Sequence, residues 1–305
     1  MHQQFNMKDL SIVIVHYNTK DFLKACLASV DRFAPKDLSY EIIIVDNNST
    51  DGVVSEIEQL KVKSPHLMFV QNKENYGFSK ANNIGLEHST GRYVLFLNPD
   101  TEVFEKTLEA MVSFMDTTQD AGAATCFLTL SDGVLDDAAH RGFPTPWNAF
   151  CHFSGLGRLF PNSMVFNGYH LAYKSLDKIH EIDALAGAFM IVRREVGDEV
   201  RWWDEDYFFY GEDLDFCYRL KENGWKIYFV PSVKAFHHKG ISAGIKKDSA
   251  HLSTADADTR KKAMRARFDA MSLFYKKHYK NRYPKLLTAI VLLGVWIKSS
   301  FTVQE

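Results

Sequence analysis

A single carboxylate, that of Asp100, follows an apolar run that Asn98 and Pro99 close. The run, residues 93–97, is long enough for one strand buried on both faces, and it ends at proline because proline has no N–H to donate to a sheet. Ligands of open α/β sheets bind beyond the carboxyl ends of the strands. Asp100 is therefore predicted to bind a hard cation, Mg²⁺ or Mn²⁺, that carries phosphates. The alternative is a cap for a helix over residues 101–116.

A second group of acids, Glu212, Asp213 and Asp215, stands where helical spacing begins. Carboxylates in a first helical turn are stabilised by the helix dipole, so capping explains part of this cluster. Capping does not explain the aromatic residues before the acids, which are Trp202, Trp203, Phe208, Phe209 and Tyr210. An apolar frame raises the pKa of a carboxyl group and makes it a better base. Aromatic faces also stack well on sugar rings, so the cluster is a candidate general base beside a sugar.

Polar side chains follow two earlier apolar runs, residues 10–15 and 40–45. They are His16, Tyr17 and Asn18 after the first run, and Asp46 and Asn48 after the second. Taken singly, these residues are turn and cap signals. Together with Asp100 they would line one edge of a sheet, where Asp46 would hydrogen-bond a base or a ribose.

The elements that position these residues alternate between strands and helices. Apolar runs predict strands at residues 10–15, 40–45, 67–70 and 93–97, and helical spacing lies between them. This alternation predicts βαβ units and a mostly parallel sheet, hence an α/β fold.

The later part of the chain is less regular. Residues 129–180 hold many glycines, prolines and aromatics and are predicted to form a long excursion over the sheet. A strand follows at 182–194, where Gly187 permits either tight sheet packing or the close approach of a ligand. Another strand, residues 226–230, is predicted to stop at Pro231.

The formal net charge of −2 over 305 residues is unevenly distributed. Eleven of the 36 Lys and Arg residues but one of the 38 acids lie between Arg260 and Lys298, so this segment carries +10 and the rest −12. Such asymmetry indicates an anionic partner. Residues 286–297 are apolar and too short to span a bilayer. They are predicted to lie in a membrane interface with Trp296 as anchor, which favours lipid over nucleic acid, or to pack as a core helix.

Composition places the protein among globular chains, with 46% hydrophobic and 24% charged residues in one large or two small domains. The cysteines are Cys26, Cys126, Cys151 and Cys217. They lack metal-ligand spacing and are predicted to be reduced and buried, as in an intracellular protein. No apolar signal-peptide core is visible at the N-terminus.

Four segments resemble the family 2 glycosyltransferases of GT-A fold, and they occur in the family's order. They are residues 11–18 (SIVIVHYN), 45–52 (VDNNSTDG), 75–83 (NYGFSKANN) and 98–100 (NPD). The chain looks most like rhamnosyltransferase-type members, which act on cell-surface polysaccharide precursors, over roughly residues 10–285. Where the family usually has Asp-x-Asp, this chain has Asn98-Pro99-Asp100, which leaves one metal-ligand carboxylate instead of two.

The resemblance implies roles for individual residues. In the family's Glu-Asp motif the Asp is the general base, which implies this role for Asp213 with Glu212 in support. A His-x-x-Gly-x-Ser element implies that His237, or else His238, helps to hold the metal or the diphosphate, and a nitrogen ligand favours Mn²⁺ over Mg²⁺. The predicted donor-binding residues are His16, Tyr17, Asn18, Asp46, Asn48, Asn75, Gly77, Asn82, Asn98 and Gly187.

The expected activity is an inverting, single-displacement transfer of a hexose, rhamnose or a related deoxysugar. The donor would be a dTDP- or UDP-linked sugar and the acceptor a saccharide or lipid-linked molecule. The expected organisation is a GT-A (Rossmann-like) domain over 8–258, with a nucleotide-binding half (8–120) and an acceptor-binding half (121–258). A basic, amphipathic helical region, 259–305, would contact the anionic inner face of the plasma membrane from the cytoplasm through residues 260–298.

Two alternatives are considered. A sugar-1-phosphate nucleotidyltransferase has a related sheet but needs a glycine-rich, basic loop after the first strand, which residues 16–19 do not provide. A non-catalytic, membrane-associated sugar-binding module would not need the Glu212-Asp213 pair.

Overall fold

A mixed β-sheet runs through the protein in a computed structural model that describes residues 7–34, 36–57, 66–241 and 257–302. The strands within these ranges are β1 (Leu10–His16), β2 (Tyr40–Asp46), β3 (Leu67–Gln71), β4 (Tyr93–Leu97), β5 (Thr101–Val103), β6 (Ala121–Thr129), β7 (His180–Ile182), β8 (Phe189–Arg193) and β9 (Lys226–His237). Their order across the sheet is β3-β2-β1-β4-β8-β6-β9-β5, and β7 pairs with β9 beside this path.

The amino-terminal half of the sheet is parallel. β1 pairs in parallel with β2 and with β4, and β2 pairs in parallel with β3. β8 lies antiparallel between β4 and β6, and β9 pairs parallel with β6 but antiparallel with β5 and β7. Because β1, β2 and β4 point the same way, the residues that follow them meet at one edge, and the register sets His16 opposite Asp46.

Helices cover both faces of this sheet. They are α1 (Lys20–Arg32), α2 (Phe78–Glu87), α3 (Thr107–Thr117), α4 (Pro146–Ser154), α5 (Leu156–Leu159), α6 (Arg194–Val200), α7 (Glu212–Glu222), α8 (Ala257–Phe274) and α9 (Lys285–Thr302). The excursion predicted between β6 and β7 contains a 3₁₀ turn (Asp137–Ala139), α4 and α5. The result is the predicted α/β architecture with C-terminal helices.

Side chains alternate between two cores because successive residues of a strand point to opposite faces. Ile12 and Ile14 of β1 join the core that contains α1 and α3, whereas Val13 joins the core that contains Phe216 of α7. The four cysteines lie buried and free of disulfides, as predicted. The apolar runs predicted as strands at 10–15, 40–45, 67–70 and 93–97 are confirmed.

Two predictions about the bounds of elements are wrong, one for the end of a strand and one for the start of a helix. β9 continues through Pro231 to His237, because Pro231 lies where the pairing of β6 with β9 shifts register and no N–H is needed for the ladder. The interpretation of Asp100 as a helix cap also fails. Residues Thr101–Val103 form β5, and α3 begins only at Thr107.

The C-terminal helices dock on α7. Phe274, together with Tyr275 and Tyr279 from a π-helical segment (Tyr275–Tyr279), is buried in a cluster with Tyr218 of α7. His278 Nε2 lies 2.7 Å from Oδ1 of the buried Asp215. Within the described ranges, every helix is too short or too polar to cross a membrane. The division of the chain at residue 258 stays a prediction.

We expect Gly77→Ala to destabilise the protein much more than Gly133→Ala. Both glycines have left-handed backbone, with φ of +83° and +80°, so both alanines carry about 1–2 kcal/mol of strain. A Cβ at Gly77 would overlap the carbonyl oxygen of Phe208, whereas nothing lies within 4 Å of a Cβ at Gly133. The free energy of unfolding in urea should fall by at least about 2 kcal/mol more for Gly77→Ala. Equal losses would show that the contact with Phe208 is unimportant.

Candidate active site

Asp46, at the end of β2, is fully buried beside His16 of β1. Its Oδ2 accepts a hydrogen bond from the backbone N–H of Ser49 (3.1 Å), whereas its Oδ1 is buried without a hydrogen-bond partner in the part of the chain that the structure describes. Buried polar atoms are normally paired, and an unpaired one costs free energy. A ligand N–H or O–H can complete this arrangement, which suits the predicted contact of Asp46 with a base or a ribose.

The loops after β1 and β2 are tied together by side chains that were predicted to bind the nucleoside. The ring nitrogens of His16 contact Asp51 Oδ2 and Thr19 Oγ1, each at 3.1 Å. Asn18 accepts a hydrogen bond from a backbone N–H of the second loop (2.8 Å). Asn18 and Asn48 have left-handed backbone, with φ of 52° and 62°, which asparagine tolerates better than most residues. Their contacts with a nucleoside stay predictions, and for His16 such a contact would replace one of these hydrogen bonds.

The loop before α2 joins the loop before α7. Asn75 Oδ1 accepts a hydrogen bond from the N–H of Gly77 (2.9 Å), and the Gly77 carbonyl accepts one from Asn47 Nδ2 (3.0 Å). The next residue, Phe78, donates its N–H to the carbonyl of Phe208 (2.8 Å). This chain of contacts places the residues before the Glu-Asp pair next to the edge that holds Asp46.

Three more predicted donor-binding residues lie near this loop. Asn82 is buried and donates to the carbonyl of Phe78 within α2 (3.0 Å). Gly187 is also covered by Phe78, because a Cβ there would come within 3.3 Å of its ring. Tyr17 is half-buried. The group that approaches Gly187 closely in this structure is therefore the side chain of Phe78. A contact between Gly187 and a sugar stays a prediction.

Asp100 and His237 meet at the end of β4. Thr101 pairs with His237 across β5 and β9, and His237 Nε2 lies 3.4 Å from Asp100 Oδ1, with both side chains buried. His238 turns away and contacts Glu102 Oε1 (3.0 Å), so His237 and not His238 faces Asp100. Asn98 donates its backbone N–H to the carbonyl of the residue after Gly187 (3.0 Å), and its buried Oδ1 has no partner among the described residues.

Asp136, which the sequence analysis did not single out, orients this imidazole. Its Oδ2 lies 2.8 Å from His237 Nδ1, and its Oδ1 accepts a hydrogen bond from Lys239 (2.5 Å). Burial disfavours protonation of His237, but Asp100 and Asp136 outweigh it and raise its pKa to about 9. Burial also opposes ionisation of Asp100 and Asp136, yet the neighbouring His237 holds the pKa of each below its usual value.

The Asp100–His237 pair fits a divalent cation by the chemistry of its donors. One carboxylate oxygen and one imidazole nitrogen suit Mn²⁺, and the second nitrogen is held by a carboxylate in the manner common for metal-bound histidine. Among the described residues no group of three or more His, Cys, Asp or Glu side chains could hold an ion. An ion here would therefore take its remaining ligands from phosphate and water, as Mg²⁺ commonly does.

The two acids of the Glu-Asp pair lie in different surroundings. Asp213 Oδ2 accepts a hydrogen bond from Arg141 Nη2 at 2.6 Å, in an ion pair that is mostly shielded from solvent. Glu212 is buried, and its Oε2 has no hydrogen-bond partner within the described ranges. Burial and the adjacent carboxylate of Asp213 raise the pKa of Glu212 to about 8. Glu212 therefore carries its proton at neutral pH, and Asp213 is the better candidate base.

The aromatic residues before this pair do not form one sugar-binding wall. Trp203 is buried, with its ring stacked on Phe216 (5.1 Å between centroids) and edge-on to Phe96. Trp202 stacks parallel to Phe216 as well (6.2 Å). Trp203 is thus a core residue and Trp202 is partly buried against the same core, whereas Phe208 is exposed. The predicted aromatic frame is wrong for Trp202 and Trp203, because the spacing that frames a carboxylate also fills a core.

Arg141 and Asp136 were missed because both belong to the irregular stretch after β6. A signal was present in the sequence: Arg141 is the first Arg or Lys in a stretch, 138–176, that has no acid. An arginine that is buried there requires a counter-charge from elsewhere in the fold. The sequence shows neither that Arg141 is buried nor which of the 38 acids supplies the charge.

The mixed sheet flanked by helices is a GT-A-like fold. The chain belongs to glycosyl transferase family 2, whose family model matches residues 11–182. It is 27% identical over 234 residues to the rhamnosyltransferase WbbL of Escherichia coli, covering 74% of this chain and 82% of that protein. The resemblance to the rhamnosyltransferase branch and the enzyme class are thereby confirmed.

Two further comparisons agree. The chain is 27% identical over 265 residues to the N-acetylglucosaminyl-diphospho-decaprenol L-rhamnosyltransferase of Mycobacterium tuberculosis, over 82% of both chains. The fold matches that of the mannosyltransferase PcManGT from Pyrobaculum calidifontis, solved with GDP-Man and Mn²⁺, with a TM-score of 0.60 and 16% identity over 98% of this chain and 72% of that chain.

Glu212→Gln should stabilise the protein at alkaline pH. The model-peptide pKa of Glu is about 4.3, and that of Glu212 in the folded protein is about 8. Between these values the folded state binds more protons than the unfolded state, so wild-type stability falls as pH rises through this window. The Tm difference between Glu212→Gln and wild type should grow from near zero at pH 5 to several degrees at pH 9. The exposed Glu105→Gln is the control, and a flat difference for Glu212→Gln would contradict the assignment.

Proposed function

We propose that this family 2 enzyme is an inverting glycosyltransferase that moves rhamnose or a related hexose from a nucleoside diphosphate to an acceptor hydroxyl. The observation that carries the proposal is the buried Asp100–His237 pair at the carboxyl end of β4. It lies on the same sheet edge as the incompletely paired Asp46. This edge therefore offers Asp46 to the nucleoside and the Asp100–His237 pair to a cation that carries the diphosphate.

The nucleoside would bind at Asp46. Its Oδ1 has no partner in the described part of the chain, so it would accept a hydrogen bond from a ribose hydroxyl or a base N–H of a UDP- or dTDP-linked sugar. The side chains of His16 and Asn18 would shape this pocket by holding its two loops. Asn98, whose Oδ1 is also without a partner in the ranges described, would contact the donor near the diphosphate.

Asp100 and His237 would hold Mn²⁺ or Mg²⁺, which offsets the negative charge that develops on the leaving diphosphate. His237 must lose its proton to bind an ion. Asp136 keeps Nε2 directed toward Asp100 by engaging Nδ1. In this arrangement the imidazole would supply a second protein ligand beside the single carboxylate of Asp100.

Asp213 would take the proton of the acceptor hydroxyl as its oxygen attacks C1 of the sugar and the bond from C1 to the diphosphate oxygen breaks. One displacement inverts the configuration at C1. Arg141 would fix the carboxylate of Asp213 by the hydrogen bond at 2.6 Å. Glu212, protonated and buried beside Asp213, would support this geometry without competing for the proton.

The acceptor is proposed to be lipid-linked, since the mycobacterial relative is named for N-acetylglucosaminyl-diphospho-decaprenol. The enzyme would meet it on the cytoplasmic face of the membrane, with residues 260–298 toward anionic lipid. Lys277 is held by acids of the domain, and so is Arg282. Lys276 and Lys280 are exposed and would face the lipid headgroups.

Asp213→Asn should retain donor binding and lose about 10²–10⁴-fold in turnover. Asparagine has nearly the volume of aspartate and still accepts a hydrogen bond from Arg141, but it does not accept a proton. The measurement is release of nucleoside diphosphate from UDP- and dTDP-sugars with Mn²⁺, beside donor affinity by calorimetry. Near-wild-type turnover for Asp213→Asn, with Glu212→Gln inactive, would assign the base to Glu212. No turnover by any variant or by wild type would favour a sugar-binding module.

Asp100→Asn should abolish the stabilisation by Mn²⁺ of the donor complex, because an amide is a poorer metal ligand than a carboxylate. Glu102→Gln is the matched control, since Glu102 contacts His238 and not His237. Thermal shift with nucleotide sugar, in Mn²⁺ and in excess EDTA, measures this stabilisation. An equal shift in EDTA for the wild type would leave no metal role for Asp100.

A further inference from the structure

α9 presents an apolar face that no described part of the chain covers. Leu286, Ile290, Leu293 and Ile297 recur at spacings of four, three and four residues, so they form one stripe. They and Trp296 have exposed fractions of 42–74%. The opposite face packs through Val291 and Leu292 on the cluster around Tyr279. A helix that is apolar on all sides is normally buried, so a partner is expected for the exposed face.

The excursion between β6 and β7 carries a second exposed apolar surface. Trp147, Phe150 and Phe153 follow one another at intervals of three along α4, with exposed fractions of 48–55%. Leu159 and Met164, in and after α5, are exposed to 70% and 71%. Large apolar side chains are seldom grouped on a surface without a function.

The helices that carry these two surfaces, α4 and α9, are in contact. Lys298 Nζ of α9 lies 3.7 Å from the centroid of the Phe153 ring of α4, a cation–π contact. Lys298 lies on the flank of α9 beside the exposed stripe, so this contact holds α4 against that flank. We call the exposed stripe of α9 together with the exposed side chains of residues 147–164 the α4–α9 face.

The charge around the α4–α9 face identifies its partner. Residues 138–176 and 270–304 contain no Asp or Glu, while Arg158, Lys276, Lys280 and Lys285 are exposed within them. Outside Arg260–Lys298 the formal charges of the chain sum to −12. Two copies of this face would repel each other, whereas basic residues beside an apolar surface are attracted to anionic lipid. Trp147 and Trp296 are also of the type that favours the headgroup region of a bilayer.

We propose that the α4–α9 face docks on the surface of an anionic lipid bilayer, so that the excursion of the catalytic domain, and not the C-terminal segment alone, enters the interface. α9 would lie in the plane of the headgroups, and the aromatic side chains of α4 would insert beside it.

The face is connected to the candidate base. α4 begins five residues after Arg141, which pairs with Asp213. Asn148 of α4 donates to the carbonyl of Phe143 (2.9 Å), whose ring packs edge-on against Tyr218 of α7 (5.0 Å). A bilayer on this face would therefore present a lipid-linked acceptor close to Asp213. This consequence rests on the proposed function, whereas the docking itself does not.

The test is flotation of the full-length protein with vesicles of phosphatidylcholine containing 0% or about 30% phosphatidylglycerol, in a salt series. Two double variants remove one half of the face each: Phe150→Ser with Phe153→Ser, and Leu293→Ser with Trp296→Ser. Phe104→Ser with Val134→Ser, also exposed apolar residues, is the matched control. Thermal melting and donor hydrolysis verify that each variant is folded.

Wild type and control should bind the anionic vesicles, less at high salt, and each double variant should bind about tenfold less or weaker still. Wild type that stays unbound, or that binds neutral vesicles equally, overturns the proposal. So does a Phe150/Phe153 variant that binds like wild type while the Leu293/Trp296 variant does not. A wild-type dimer by light scattering that both double variants lose, without vesicle binding, would instead assign the face to a second copy. Donor hydrolysis, measured without vesicles, tests the proposed function separately.

Discussion

Buried charge holds the sheet edge together. Asp136 lies after β6 with almost no exposed surface, and its carboxylate is shared between His237 at the end of β9 and Lys239 beyond it. His237 in turn faces Asp100 at the end of β4. A buried carboxylate without a counter-charge costs several kcal/mol, so these groups must remain together. Three distant parts of the chain are thereby held at the place where a diphosphate is proposed to bind.

Carboxylates at the start of α7 also need counter-charges from distant parts of the chain. Asp213 is paired with Arg141 of the excursion, and the fully buried Asp215, two residues on, with Arg219 and with His278 of the docked tail. Two acids of the same helical turn are thus paired with different segments of the chain. The excursion and the C-terminal helices therefore help to fix the start of α7, because each supplies a partner for one of its carboxylates.

The sequence by itself determined the strands of the amino-terminal half and the edge at which their polar ends meet. Apolar runs such as residues 93–97 bury both faces of a strand wherever they occur, and a polar residue that follows must lie at an end of the sheet. Asp46 and Asp100 could be placed in this way, and local motifs were enough to identify the family. These conclusions depend on contacts between near neighbours in the chain.

Only the tertiary structure decided which groups face each other over long separations. It selected His237 over His238 and joined Arg141 to Asp213, 72 residues apart. In the tertiary structure Trp203 is buried in the core, and β9 continues through Pro231 at a bulge. One face of α9 is exposed, and α9 contacts α4. The physical reason is common to all of these. Charge pairing, core packing and strand register are settled by partners that are distant in the chain, and the sequence of either partner alone does not identify the other.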